Sequence, residues 1–243
     1  MILLRTILIW FLTLSVTAVL STLAIPFSLI GIPNAVHFLA TLWGKALTKI
    51  TMIKIIVNNP EKIHRDGPVL VLSNHQSMFD IPVFYAFLNI QFRWMSKASI
   101  FKIPLVGRAM KGAGYISVDR DDPRNARSSL FAAAERVKEG ASLIIFPEGT
   151  RGHVDGRMLP FKKGSFLLAK MAGVPILPIT IIGANEAMPI QKDNFIQRVY
   201  PANVSVYVHD IILPEEIASL EADELSKKVR SVIESALPEK SKG

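Results

Sequence analysis

From Thr6 to Gly44 the chain runs for 39 residues without an Asp, Glu, Lys or Arg. A stretch that apolar cannot lie open to water and must be covered by protein or by lipid. As one helix, Ile2–Ile25 would be about 36 Å long, enough to cross the hydrocarbon of a bilayer. A signal peptide fits poorly: no small-residue cleavage site is followed by a polar start, and the chain stays apolar through Ile32 and Leu39. Pro26 and the Gly31-Ile32-Pro33-Asn34 run interrupt the stretch and predict two helices, the second from about Ala35 to Met52. Lys45 and Lys49 fall near the end of the second, and Arg5 and the amino terminus near the start of the first. Folded back on itself, such a hairpin gathers its positive charge on one side, where anionic headgroups and the positive-inside bias would hold it. The expectation is an apolar two-helix membrane anchor over residues 1–52, buried in one leaflet, with the rest of the protein on the cytoplasmic face. A single transmembrane helix satisfies the same charges.

A 50% hydrophobic content with 20% charged residues suits a soluble body joined to a membrane-seeking segment better than a polytopic membrane protein. The formal net charge is +8, and the residues from Glu215 onward carry more acidic than basic side chains, so the basic surplus belongs to the body before them. A sequence pI of 9.7 would suit nucleic acid, but no binding motif or aromatic stacking platform accompanies it, so nucleic acid is not an expected partner. With no cysteine, the chain has no disulfide, no thiol nucleophile and no thiolate metal site.

Residues 53–243 alternate short β-rich runs with helical ones, the pattern of an α/β layer fold. Strands are predicted at Ile53–Val57, Val69–Ser73, Phe92–Ser96, Tyr115–Val118, Ser142–Phe146, Ile176–Ile182 and Val204–Val208. Helices are predicted at Ile81–Leu88, Asn125–Glu139 and Lys163–Ala172. A last, amphipathic one would carry Leu225, Val229, Val232, Ile233 and Ala236 on one face. The expected architecture is a mixed sheet flanked by helices, with a frayed end from Pro238 to Gly243.

Three segments carry chemistry. After the second strand comes Asn74-His75-Gln76-Ser77-Met78-Phe79-Asp80. On one straight helix His75 and Asp80 would sit roughly 140° apart, whereas a turn between strand and helix can bring the carboxylate to the imidazole. An imidazole is the natural general base near neutral pH, and a carboxylate on its far nitrogen fixes the tautomer. The plainer reading makes Ser77 and Asp80 an S-x-x-D capping box, which is compatible with catalysis. Phe146-Pro147-Glu148-Gly149-Thr150-Arg151 follows another apolar strand, where α/β folds collect ligands; Gly149 admits close backbone approach and Arg151 offers a fork for phosphate. Taken alone it is also an ordinary Pro-Glu-Gly turn. Gly114–Arg120 ends a third strand in an Asp-Arg pair, and Lys97, Lys102, Lys162 and Lys163 are either solvated or part of a funnel for an anion.

Together and in this order, the segments resemble the glycerophospholipid acyltransferase family, within it the acyltransferases of 1-acylglycerol 3-phosphate. The resemblance spans roughly Asn74 to Ile179. Asn74–Asp80 is similar to the family's N-H-x-x-x-x-D block, Gly114–Arg120 to its G-x-I-x-x-D-R block, Phe146–Arg151 to its F-P-E-G-T-R block, and Val174–Ile179 to its V-P-I-x-P-I block. The resemblance implies acyl transfer from an acyl-carrier-protein (acyl-ACP) or coenzyme A (acyl-CoA) thioester to the sn-2 hydroxyl of lysophosphatidic acid, giving phosphatidic acid in phospholipid biosynthesis. It implies His75 as the base supported by Asp80, and Arg120, Glu148, Gly149 and Arg151 around the substrate phosphate. Asn74, Lys97 and Lys162 are supporting candidates. The family's third block usually continues with Ser, where this chain has Gly152.

The residues agree with a direct transfer: there is no Cys and no G-x-S-x-G elbow to form an acyl-enzyme. No metal or bound cofactor is expected, and His37, His64, His153 and His209 are not at ligand spacing. The partners implied are membrane lipids, lysophosphatidic acid and anionic phospholipids among them, and the carrier of the acyl thioester. The competing readings are acylation of glycerol 3-phosphate or another lysophospholipid, and a non-catalytic protein that binds anionic lipid.

Overall fold

The computed structural model describes residues 2–118, 123–153, 155–189 and 197–242. Its strands are β1 (Ile53–Asn58), β2 (Leu70–Ser73), β3 (Phe92–Lys97), β4 (Ile116–Val118), β5 (Ser142–Ile145), β6 (Ile176–Ile182) and β7 (Ala202–Val208). Its helices are α1 (Ile2–Leu29), α2 (Pro33–Ile50), α3 (Asp80–Phe87), α4 (Val106–Gly112), α5 (Pro123–Lys138), α6 (Gly164–Ala172), α7 (Ala184–Ala187), α8 (Pro214–Ser219) and α9 (Ala222–Ser235). The strands form one sheet in the order β1-β7-β6-β2-β5-β3-β4, parallel throughout except where β6 meets β7. The mixed sheet expected from the alternating pattern is therefore present, with all seven strands near their predicted bounds.

The central strands are short and apolar on both faces because both are covered. β2 and β5 are buried at every residue. Successive residues enter opposite layers, as the strand period of two requires. Val69, Val71 and Ile144 join one core with Phe84, Phe92 and Trp94, against α2 and α3. Leu70, Leu72, Leu143 and Ile145 join the other with Phe166, Leu225, Val229 and Ile233, from α6 and α9. On α9, Val232 and Ala236 are only half-buried, at the margin of the predicted stripe.

Three features depart from expectation. Helix α1 runs through Pro26 to Leu29. A proline so near a helix end forfeits one N–H bond and is tolerated, and the turn comes instead at Gly31, whose φ of 71° suits glycine, before Pro33 opens α2. Helix α4 was not anticipated; its glycines permit close packing, Gly112 lying against Ser28 of α1. The carboxyl-terminal end is not frayed up to Ser241: Glu239–Ser241 form a 3₁₀ turn, and the buried Ser241 hydroxyl donates to the Asp155 carbonyl at 3.0 Å.

Helices α1 and α2 pack together, with the Trp43 indole N–H donating to Thr17 Oγ1 at 2.9 Å. One side of α1 lies on the body along its length. Thr6, Ile9, Thr13 and Ala24 are buried, Trp10 Nε1 donates to the Gln197 carbonyl, and Ser28 Oγ donates to the Arg108 carbonyl. The opposite side shows Leu4, Phe11, Leu14, Val19 and Leu29 to the outside, Phe11 at 65% and Leu14 at 63%.

Candidate active site

Strands β5, β3 and β4 lie successively beside β2 and parallel to it, so the loops after all four leave the same edge of the sheet. Ligands gather at that edge in open parallel sheets. The segment after β2 brings His75, the segment after β5 brings Phe146–Arg151, and β3 ends at Lys97. Val118 ends β4 and lines the same cleft; Arg120, two residues on, lies outside the described residues. The cleft, of about 610 Å³, is bordered by His75, Lys97, Gly149, Thr150, Arg151 and Lys162, among others.

The turn after β2 brings the two residues of the N-H-x-x-x-x-D block together. His75 Nδ1 is 2.7 Å from Asp80 Oδ2, and that oxygen also accepts the backbone N–H groups of Gln76 (2.7 Å) and Ser77 (2.9 Å). Three donors converging on one oxygen hold a carboxylate of 0% exposure in place, while its other oxygen, Oδ1, is buried without a partner. With Nδ1–H donating to Asp80, the proton-free nitrogen of a neutral His75 is Nε2. The capping-box reading holds in part: the Asp80 carboxylate takes the Ser77 N–H, while the Ser77 hydroxyl accepts from Phe79 rather than Asp80.

Neighbouring side chains fix this loop to the sheet. The Asn74 carboxamide donates to the Ile181 carbonyl and accepts the Ile181 N–H, both at 2.8 Å. Gln76 Oε1 accepts the Gly183 N–H at 3.0 Å. Asn74 is thus committed to β6 rather than to a substrate. The His75 ring stacks on Phe146, with centroids 4.0 Å apart and planes 7° from parallel. Neither the Gln76 tie nor the stack was legible in the sequence, since each joins segments about 70 or more residues apart.

In the F-P-E-G-T-R segment, Gly149 adopts φ +74°, which favours glycine, and a Cβ there would lie 3.0 Å from the flexible end of Lys162. Arg151 and Lys162 flank the cleft. Glu148 differs from expectation. It is 2% exposed and does not border the cleft; its Oε1 accepts the His75 backbone N–H and its Oε2 the Leu159 N–H, each at 2.7 Å. Burial pushes its carboxyl up to about 7 against the opposing pull of those two N–H groups. His37 is a core residue against the Tyr85 and Phe92 rings. Among the described residues no group of three His, Asp or Glu is arranged to hold a metal ion.

A second, apolar cavity adjoins the cleft. It lies among α1, α2 and α4, lined by Leu20, Ala24, Leu39, Trp43, Met110 and Tyr115, and Ile81, Trp94, Ser96 and Ile100 border both spaces. This apolar cavity could not be read from the sequence, because α4, which lines it with Val106, Ala109 and Met110, was not predicted.

The acyltransferase family pattern matches residues 54–182. The chain is 37% identical, over 79% of its length, to the chloroplastic 1-acyl-sn-glycerol-3-phosphate acyltransferase BAT2 of Brassica napus, covering 54% of that protein. It is 31% identical, over 77% of its length, to the 1-acyl-sn-glycerol-3-phosphate acyltransferase of Borreliella burgdorferi, covering 78% of that one. The crystal structure of the 1-acyl-sn-glycerophosphate acyltransferase PlsC from Thermotoga maritima superposes with a TM-score of 0.75 at 28% identity, covering 95% of each chain. The chain spans little more than half the length of the plant and algal relatives it matches.

Proposed function

Because the chain belongs to the acyltransferase family, we propose that it transfers a fatty acyl chain from an acyl-ACP or acyl-CoA thioester to the sn-2 hydroxyl of lysophosphatidic acid, giving phosphatidic acid. The observation that carries this reading is the His75–Asp80 pair at 2.7 Å, set in a cleft whose rim bears Arg151, Lys97 and Lys162.

The phosphate of the acceptor binds to Arg151, with Lys97, Lys162 and Arg120 adding positive charge, and this holds the glycerol hydroxyl beside His75. Nε2 of His75 takes the hydroxyl proton as the oxygen attacks the thioester carbonyl. Asp80 stabilises the imidazolium through Nδ1–H. The tetrahedral intermediate collapses with loss of the thiolate, which recovers the proton from His75. The donor's acyl chain extends past Ile81, Trp94, Ser96 and Ile100 into the apolar cavity. No acyl-enzyme forms.

The exposed side of α1 supports a protein seated in one leaflet. Because the other side of this helix rests on the body from Thr6 to Ser28, the pair α1 and α2 lies along the body as an anchor, and its exposed apolar residues enter lipid. The basic residues then favour the cytoplasmic face.

The test is product formation by purified protein in detergent, supplied with lysophosphatidic acid and either thioester separately and read by mass spectrometry. Phosphatidic acid with one donor establishes the reaction and names the donor. No product with either would overturn the proposal in favour of another acceptor or of lipid binding without turnover.

A further inference from the structure

His75 is held by its main chain as well as by its ring. Its N–H donates to Glu148 Oε1 at 2.7 Å, and its carbonyl accepts the Gly152 N–H, also at 2.7 Å. Both bonds come from the loop after β5, so one loop grips the residue before and after its Cα. The second oxygen of Glu148 ties the same loop to Leu159. With each oxygen accepting an N–H, 2% exposure and no share in the cleft wall, this carboxyl is turned away from the site where a phosphate would bind.

The grip leaves no room beside it. A Cβ on Gly152 would stand 2.8 Å from the Arg157 carbonyl oxygen, 3.0 Å from Glu148 Oε2 and 3.5 Å from the His75 carbonyl oxygen. The first of these is backbone and cannot turn aside. Gly152 is also where this chain departs from the Ser of the family's third block, so the close approach accounts for the glycine here.

We propose that Glu148 and Gly152 are positioning residues for His75, a main-chain clamp that sets where its Nε2 meets the acceptor hydroxyl, and that Glu148 is not a phosphate ligand. This rests on the reading of His75 as the base. The clamp makes a kinetic signature. A displaced base lowers kcat while leaving acceptor binding alone, whereas a lost phosphate ligand raises KM. A misplacement of about 1 Å costs on the order of 100-fold in rate.

The experiment compares Glu148→Gln and Gly152→Ala with the full-length wild type. Gln keeps one acceptor oxygen and turns an NH₂ towards the other N–H, so it breaks half the clamp without changing size. Gly152→Ala leaves Glu148 in place and adds only the obstructing carbon. For each, kcat falls on the order of 100-fold with KM for lysophosphatidic acid within about twofold, and backbone amide exchange rises in the 74–78 segment. The exchange arm needs no substrate, so it reads the clamp even if the proposed reaction is wrong. A raised KM with wild-type kcat in Glu148→Gln, or unchanged exchange in both variants, would overturn the clamp. If Glu148→Gln fails to fold, wild-type kcat in Gly152→Ala alone is sufficient to do so.

Discussion

The corner that holds His75 and the helix that begins the chain solve opposite problems. In the corner, most buried polar groups are matched one to another, Asp80 Oδ1 being the exception. Asp80 Oδ2 takes three donors, Glu148 takes two, and Asn74 and Gln76 reach across to Ile181 and to Gly183. Such matching is what a low-dielectric site demands, since an unmatched polar group there costs about 1–3 kcal/mol. On α1 the open groups are apolar: Leu4, Phe11, Leu14 and Leu29 stand mostly exposed. The first arrangement fixes one atom's position; the second leaves a surface that a fluid, apolar neighbour can fill. Positions in the first region should therefore be read out as rate, and those in the second as partition.

The sharpest break in that contrast comes from Asp80→Asn. It keeps the shape and an oxygen for the three donors but removes the charge that stabilises the imidazolium, and kcat should fall on the order of 100-fold with vesicle binding untouched. Stopped-time assays of phosphatidic acid on vesicles check this; an unchanged rate would reduce Asp80 to a helix cap. Arg151→Ala should raise KM for lysophosphatidic acid about tenfold, as loss of a charge-assisted hydrogen bond would, and leave KM for the thioester alone. Equal effects on both substrates would point to general damage.

The opposite region is tested by Phe11→Glu with Leu14→Glu, neither of which lines the cleft or the apolar cavity. Co-sedimentation with anionic vesicles should weaken about tenfold while turnover on detergent-dispersed substrate persists. Wild-type partition would show that this side of α1 does not meet lipid.

A further effect, on stability rather than rate or partition, concerns pH. Glu148 has its carboxyl raised by burial from 4.5 to about 7, so the folded protein keeps a proton that the unfolded chain has released between those values. Stability from this group is full below the lower value and lost as pH rises through about 7, an amount of roughly 3 kcal/mol. The melting temperature should drop between pH 5 and pH 8 by roughly 5–10 °C more in wild type than in Glu148→Gln. Parallel slopes would show that the carboxyl is not desolvated.

What could be read in the sequence follows the same division. The strands were legible because buried central strands are continuous apolar runs, and the base and its carboxylate because a strand-turn-helix corner brings positions 75 and 80 together. Pro26 misled because a proline stops a helix only where the lost bond matters, and here the helix was about to end. Helix α4 was hidden by Gly107 and Gly112, which lower helix propensity yet allow contact with Phe101 and Ser28. The role of Glu148 was beyond local reading, since the N–H it accepts lies 73 residues earlier in the chain.

The most direct test of the central claim is the initial rate of phosphatidic acid formation by His75→Ala beside wild type, both bound to vesicles. The account predicts a fall on the order of 1,000-fold, with partition unchanged and the fold retained. A rate within about threefold of wild type, against the 10²–10⁴ that a general base supplies, would contradict it and leave the His75–Asp80 pair a structural feature of the loop.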